Sequence, residues 1–142
     1  MKEITVPANL DNIAVVTNLI NSELEATNCS EHDRIQIDVA IDEVFGNIAK
    51  YAYGQEEGTV TVRVDISDDP SAISITFIDH GIPYNPLNNK APDTTLKAKE
   101  RKIGGLGIFM TRKIMNDMRY EYLDGSNHLT ILKVIRIKTG KK

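Results

Sequence analysis

The sequence predicts an α+β fold, a two-layer sandwich in which a mixed, mostly antiparallel sheet carries helices on one face. Three observations predict it: two long helical patterns near the start, a third helix start late in the chain, and alternating strand patterns whose connections are largely of the antiparallel kind. At 142 residues the chain fits one domain, residues 1–142, large enough to bury a core without metal or disulfide support.

Ile4 and Val6 alternate with polar residues and stop at Pro7, which predicts a short edge strand. Leu10, Ile13, Thr17, Ile20 and Leu24 recur at helical spacing, so one side of a first helix packs while Asn and Glu face water. Residues 28–30 break that pattern. Ser30 with Asp33 resembles a capping box, in which side-chain oxygens satisfy the amides that a helix start leaves unpaired. The second helix is expected to reach about Tyr53, with Ile37, Ile41, Val44 and Ile48 as its core stripe.

Gly54 and Gly58 punctuate the following turn. Val60, Val62, Val64 and Ile66 then define one face of a strand, and Ile73, Ile75 and Phe77 define one face of the next. By the same two-residue period, Asp79 falls on the buried face at that strand's end, an unusual place for a carboxylate. From 83 to about 103 the periodicity is weak, and a loop of roughly 20 residues inside a compact domain is uncommon unless functional or disordered; it reads as a mobile lid. A third helix is expected to begin at 105–107, followed by strands at 118–123 and 129–137 joined through Asp124, Gly125, Ser126 and Asn127.

Charge and composition exclude several function classes. A formal charge of -3 gives no global electrostatic reason to bind a polyanion, so direct nucleic-acid binding is not expected. Cys29 is the only cysteine, which rules out an intrachain disulfide and a Cys-rich zinc site and fits a reducing, cytoplasmic setting. The first residues lack a signal peptide's apolar segment, and no run approaches the roughly 18 to 20 apolar residues of a membrane span, so no membrane association is expected. His32, His80 and His128 are scattered without a ligand set, and Cys29, Met110, Met115 and Met118 read as packing residues.

Three stretches carry chemistry. In the first, Asp42 to Tyr51, Glu43, Asn47 and Lys50 share one stripe of the second helix along the margin of its core face. A carboxylate there can accept a proton from a hydroxyl, and a neutral amide oxygen can ligate magnesium; a solvated helix face gives the same spacing. The second stretch is Asp79-His80-Gly81 at a strand end. Its carboxylate needs a donor, which a ligand amino group, a hydroxyl or a backbone amide can supply. The third is Gly104-Gly105-Leu106-Gly107 leading straight into a helix, where backbone can approach a phosphate closely and the unpaired amides favour negative charge, although a packed loop shows the same composition. Lys97, Lys99, Arg101 and Lys102 precede it.

In this order, with the lid between the last two, the stretches resemble the GHKL ATPase superfamily, which shares the Bergerat nucleotide-binding fold; the likeness covers nearly all 142 residues. Within it the chain is similar to the compact anti-sigma-factor serine/threonine kinases of bacterial partner-switching systems. The resemblance implies ATP and Mg2+ as cofactors, with Glu43 as general base toward a substrate serine and Asn47 as magnesium ligand. Lys50 and Tyr51 would line the pocket. Asp79 would accept a hydrogen bond from the adenine amino group, Gly81 would let the base approach, and Thr130 would support that contact through its hydroxyl. Gly104, Gly105, Leu106 and Gly107 would form the glycine-rich box around the phosphates, and Arg101 would meet the terminal phosphate. Pro83 departs from the superfamily, which carries a second glycine there. The implied partners are an anti-anti-sigma (STAS-type) protein and a sigma factor, and related kinases often form homodimers. Two other readings stay open: a nucleotide-dependent binding module that captures a regulator without transferring phosphate, and a detached sensor histidine-kinase domain, disfavoured because no phosphoacceptor-histidine helix pair precedes the fold.

Overall fold

The computed structural model describes residues 1–68, 71–88 and 105–136. Strand β1 (Lys2–Pro7) is followed by helices α1 (Ile13–Glu25) and α2 (Glu31–Asn47), strands β2 (Thr59–Asp68) and β3 (Ser71–Asp79), helix α3 (Gly105–Ile114), and strands β4 (Asp117–Leu123) and β5 (Ser126–Val134). The strands form one sheet in the order β1-β2-β3-β5-β4, with β1 at an edge. Every pairing is antiparallel, so the sheet expected to be mixed has no parallel component among the described residues.

The period-two pattern gives the sheet two unlike faces. Val60, Val62 and Val64 of β2, Ile73, Ile75 and Phe77 of β3, and Leu129 and Ile131 of β5 join Val16, Ile20 and Leu24 of α1 and Ile37, Ile41, Val44 and Phe45 of α2 in one core. Each such side chain gains about 1.5–3 kcal/mol from burial, which holds the helices on that face. The other face is polar. There Thr5 bonds Thr61 at 2.8 Å, Thr76 bonds Thr130 at 2.9 Å, and Arg63 pairs with Glu3 at 2.7 Å.

The first helix starts later than its pattern suggests. Leu10 lies in a 3-10 turn, Leu10–Asn12, and is 50% exposed. The α-helical stripe from Ile13 runs through Val16, Ile20 and Leu24, so Val16 rather than the expected Thr17 is the fully buried residue between Ile13 and Ile20.

Ser30 caps α2 as its sequence suggests, its Oγ accepting the Asp33 N–H at 3.2 Å. The Asp33 carboxylate, fully buried, accepts instead from the Arg136 backbone N–H at 2.7 Å and the Arg136 guanidinium at 3.0 Å. Burial alone would raise its pKa, but the hydrogen bonds and charge of Arg136 outweigh that cost and hold the carboxyl at about 2. The ion pair ties the start of α2 to the end of β5. The helix then runs along the sheet toward the end of β3, where the Ile82 N–H meets the Ala52 carbonyl at 3.1 Å.

The β4–β5 hairpin turns on two residues, Asp124 and Gly125, both with positive φ (52° and 79°), as the tightest hairpin turns require. Ser126 and Asn127, expected in that turn, belong to β5. Among the described residues no helix is long and apolar enough to cross a membrane. Of the lid expected from 83 to about 103, the first residues are described and include a 3-10 turn, Pro86–Asn88, and the rest lies outside the described residues.

Candidate functional site

Past Asn47, α2 continues as a π-helical turn, Ile48–Ala52, a geometry that often marks functional sites. Asn47, Lys50 and Tyr51 line a cavity of about 270 Å3 that also takes in Asp79 at the end of β3. Its walls are apolar: Val44 and Ile48 from the α2 side, Ile108 from α3, and Tyr120 and Leu129 from β4 and β5. A flat aromatic ligand gains contact on such walls, while a few polar groups fix its orientation.

Asp79 is 5% exposed. Its Oδ1 accepts from the Gly81 N–H at 2.9 Å and from the Asn127 side-chain amide at 2.9 Å. Among the described residues no protein donor meets Oδ2, so the cavity is lined by a carboxylate with acceptor capacity to spare. Gly81 is needed for a close approach between two backbone segments: a Cβ there would lie 2.1 Å from the Ala52 carbonyl oxygen. Tyr53 braces the same corner, donating to the Thr59 carbonyl at 2.6 Å and accepting the His80 N–H at 2.7 Å. Burial pushes its phenol up, with the nearby Asp79 charge adding to the effect, so it stays a donor at neutral pH.

At the other end, Glu43 lies one helical turn before Asn47 and meets the first turn of α3. A Cβ on Gly107 would lie 1.8 Å from the Glu43 carboxyl carbon and Oε2. The carboxyl is thus packed against a glycine at a helix start, where backbone amides lack intrahelical partners and favour negative charge. Gly105 opens the helix and Leu106 follows it. Gly104 and Arg101 lie outside the described residues, as do Lys97, Lys99 and Lys102.

Thr130 is not brought to this site. It pairs with Thr76, one face away from Phe77 and Asp79, so its hydroxyl sits on the polar side of the sheet. Asn127, opposite Asp79 in the β3–β5 register, occupies the place expected of Thr130. Sequence reading missed Asn127 because it put the residue in a turn; Asp124-Gly125, a strong two-residue hairpin signal, would have placed it in the strand. Among the described residues no group of three or more His, Cys, Asp or Glu side chains could hold a metal. A metal here would draw on the amide of Asn47 and on oxygens of the ligand itself, a donor set that suits a hard cation beside phosphates.

An antiparallel sheet thus carries helices on one face, and a cavity reaches from the strand-end carboxylate of Asp79 to Ile108 in the first turn of α3, an arrangement suited to a nucleotide-sized ligand. The chain belongs to the histidine kinase-like ATPase domain family, which it matches over residues 6–133. It is 24% identical over 98 residues to the serine/threonine-protein kinase BtrW of Bordetella bronchiseptica, covering 69% of this chain and 68% of that one. It is 29% identical over 92 residues to the serine-protein kinase RsbW of Listeria monocytogenes, covering 61% of this chain and 57% of that one. Among solved structures, the RsbU and RsbW domains of Rv1364c from Mycobacterium tuberculosis superpose with a TM-score of 0.65 over 98% of this chain and 35% of that one, at 16% identity, a likeness of fold.

Proposed function

We propose that this chain binds ATP with magnesium and transfers the γ-phosphoryl group to a serine of an anti-anti-sigma (STAS-type) partner, and that it also binds a sigma factor. The observation that carries the reading is the Glu43 carboxyl packed against Gly107 at the start of α3, one turn from Asn47 and on the helix that lines the Asp79 cavity. The named kinases among its relatives support it.

In this reading adenine lies in the apolar cavity, with its amino group donating to Asp79, while Lys50 and Tyr51 line its edge. The phosphates lie toward Gly105 and Gly107, where backbone amides offset their charge. Asn47 would hold magnesium, which supplies further charge neutralisation to the phosphates. Glu43 orients the incoming serine and accepts its proton as the serine oxygen bonds to the γ-phosphorus and ADP leaves. Phosphorylation adds negative charge to the partner and weakens its docking. Gly104 and Arg101 are proposed contacts of the phosphate tail.

Incubation of the protein and a candidate STAS-type partner with labelled magnesium-ATP tests the reading. Glu43→Ala should bind nucleotide but lose transfer by about 100-fold or more. Normal transfer by this variant would remove Glu43 from its role. Nucleotide-dependent capture of the partner with no transfer by the wild type would favour a binding module.

A further inference from the structure

Asn127 is 6% exposed and uses its whole hydrogen-bonding capacity. Its Nδ2 donates to Asp79 Oδ1 at 2.9 Å and to the Ile82 carbonyl at 2.8 Å. Its Oδ1 accepts from the Tyr84 N–H at 3.1 Å and from the Tyr120 hydroxyl. Only one orientation of the amide satisfies all four groups, because a carboxylate and a carbonyl can only accept while an N–H and, in this setting, a phenol donate. Burial pushes the Tyr120 phenol up, and the Asp79 charge acts in the same direction, which keeps that hydroxyl a donor.

This arrangement has a consequence at the cavity. Asn127 and the Gly81 N–H together fill Asp79 Oδ1, so Oδ2 is the oxygen left to meet a ligand. The same amide joins β5 to the Ile82–Tyr84 segment and to Tyr120 of β4, two walls of the cavity.

Resting on the nucleotide reading above, we propose that Asn127 is a positioning residue for purine selection: it fixes the Asp79 carboxylate so that Oδ2 accepts from a 6-amino purine and repels a 6-oxo purine. A hydroxyl residue at 127 could supply one donor to Asp79 but could not also hold the Ile82 carbonyl and both Tyr84 and Tyr120. The amide therefore sets Asp79 and its surrounding walls as one unit.

The test is calorimetric titration of the full chain with magnesium-ADP and with purine riboside 5′-diphosphate, which lacks only the 6-amino group. Wild type should prefer ADP by roughly 10- to 100-fold, the value of a hydrogen bond to a charged acceptor. In Asn127→Ala that preference should fall to about 3-fold or less, with affinity for the purine analogue staying within about 3-fold of wild type. Asn127→Thr, which restores one donor toward Asp79, should recover part of the preference, and it carries the test if Asn127→Ala fails to fold. Equal weakening of both ligands in these variants, or an unchanged ADP preference, would overturn the proposal and leave the nucleotide site standing. Wild type that binds neither ligand would overturn the site and the proposal together.

Discussion

Replacing Gly107 by alanine should separate activity from stability. The added Cβ would sit 1.8 Å from the Glu43 carboxyl carbon and Oε2. Nonbonded carbons settle at about 3.5–4.0 Å, so the carboxyl must move by roughly 2 Å. Because the obstacle is the tip of a flexible side chain, that movement costs little in folding energy. Alanine in a helix is favoured over glycine by up to about 1 kcal/mol, so Tm should stay level or rise by about 2–4 °C. Catalysis is less tolerant. A misplacement of about 1 Å can cost on the order of 100-fold, or about 2.7 kcal/mol of transition-state stabilisation. Phosphate transfer to a STAS-type partner in Gly107→Ala should therefore drop by about 100-fold or more. Since the substitution acts through Glu43, it should cost nothing further in a Glu43→Ala background. Normal transfer in Gly107→Ala, or full additivity in the double variant, would refute the placement of the general base.

Gly81→Ala should do the reverse. Its Cβ would meet the Ala52 backbone carbonyl at 2.1 Å, which cannot swing aside, so a stability loss of about 1–3 kcal/mol is expected in denaturant unfolding. Thr130→Val should leave nucleotide affinity within about 2-fold by calorimetry, because the Thr130 hydroxyl lies on the opposite face of the sheet from Asp79, and should cost about 1 kcal/mol through the lost Thr76 bond. The Asp33 carboxyl, held at about 2 when folded, lies below its unfolded value; its contribution is fully present above pH 4 and is lost as pH falls toward 2. Unfolding followed across that window should show about 1–2 kcal/mol of acid-labile stability, screening at the exposed Arg136 guanidinium included, and Asp33→Asn should remove it.

The strands and the long helices were legible because each is governed by a short-range period. Val60 to Val64 and Ile73 to Phe77 have one buried face whichever partner they find, and the same alternation placed Asp79 on the core side. Ser30 was legible as a cap for the same local reason. What the sequence did not show depends on pairing. Thr130 and Asn127 are three residues apart and so lie on opposite faces of β5, but only the β3–β5 register sets Asn127 directly opposite Asp79. Nor did local pattern reveal that Asp33 pairs with Arg136, more than a hundred residues away, or that the end of α2 opens into a π-helical turn around Lys50 and Tyr51. Glu43 and Gly107 were each picked out separately, but their contact depends on the packing of α3 against α2.

Thermal unfolding with magnesium-ADP, magnesium-ATP and magnesium-GTP is the most direct test of an adenine nucleotide site built on Asp79. Ligand that binds only the folded state at 100 times its Kd stabilises by about 2.7 kcal/mol, an upward shift of several degrees in a domain this size. The adenine nucleotides should raise Tm by that amount and the guanine nucleotide by much less, with the difference gone in Asp79→Ala. Equal shifts with all three nucleotides, or none in a well-folded wild type, would contradict it.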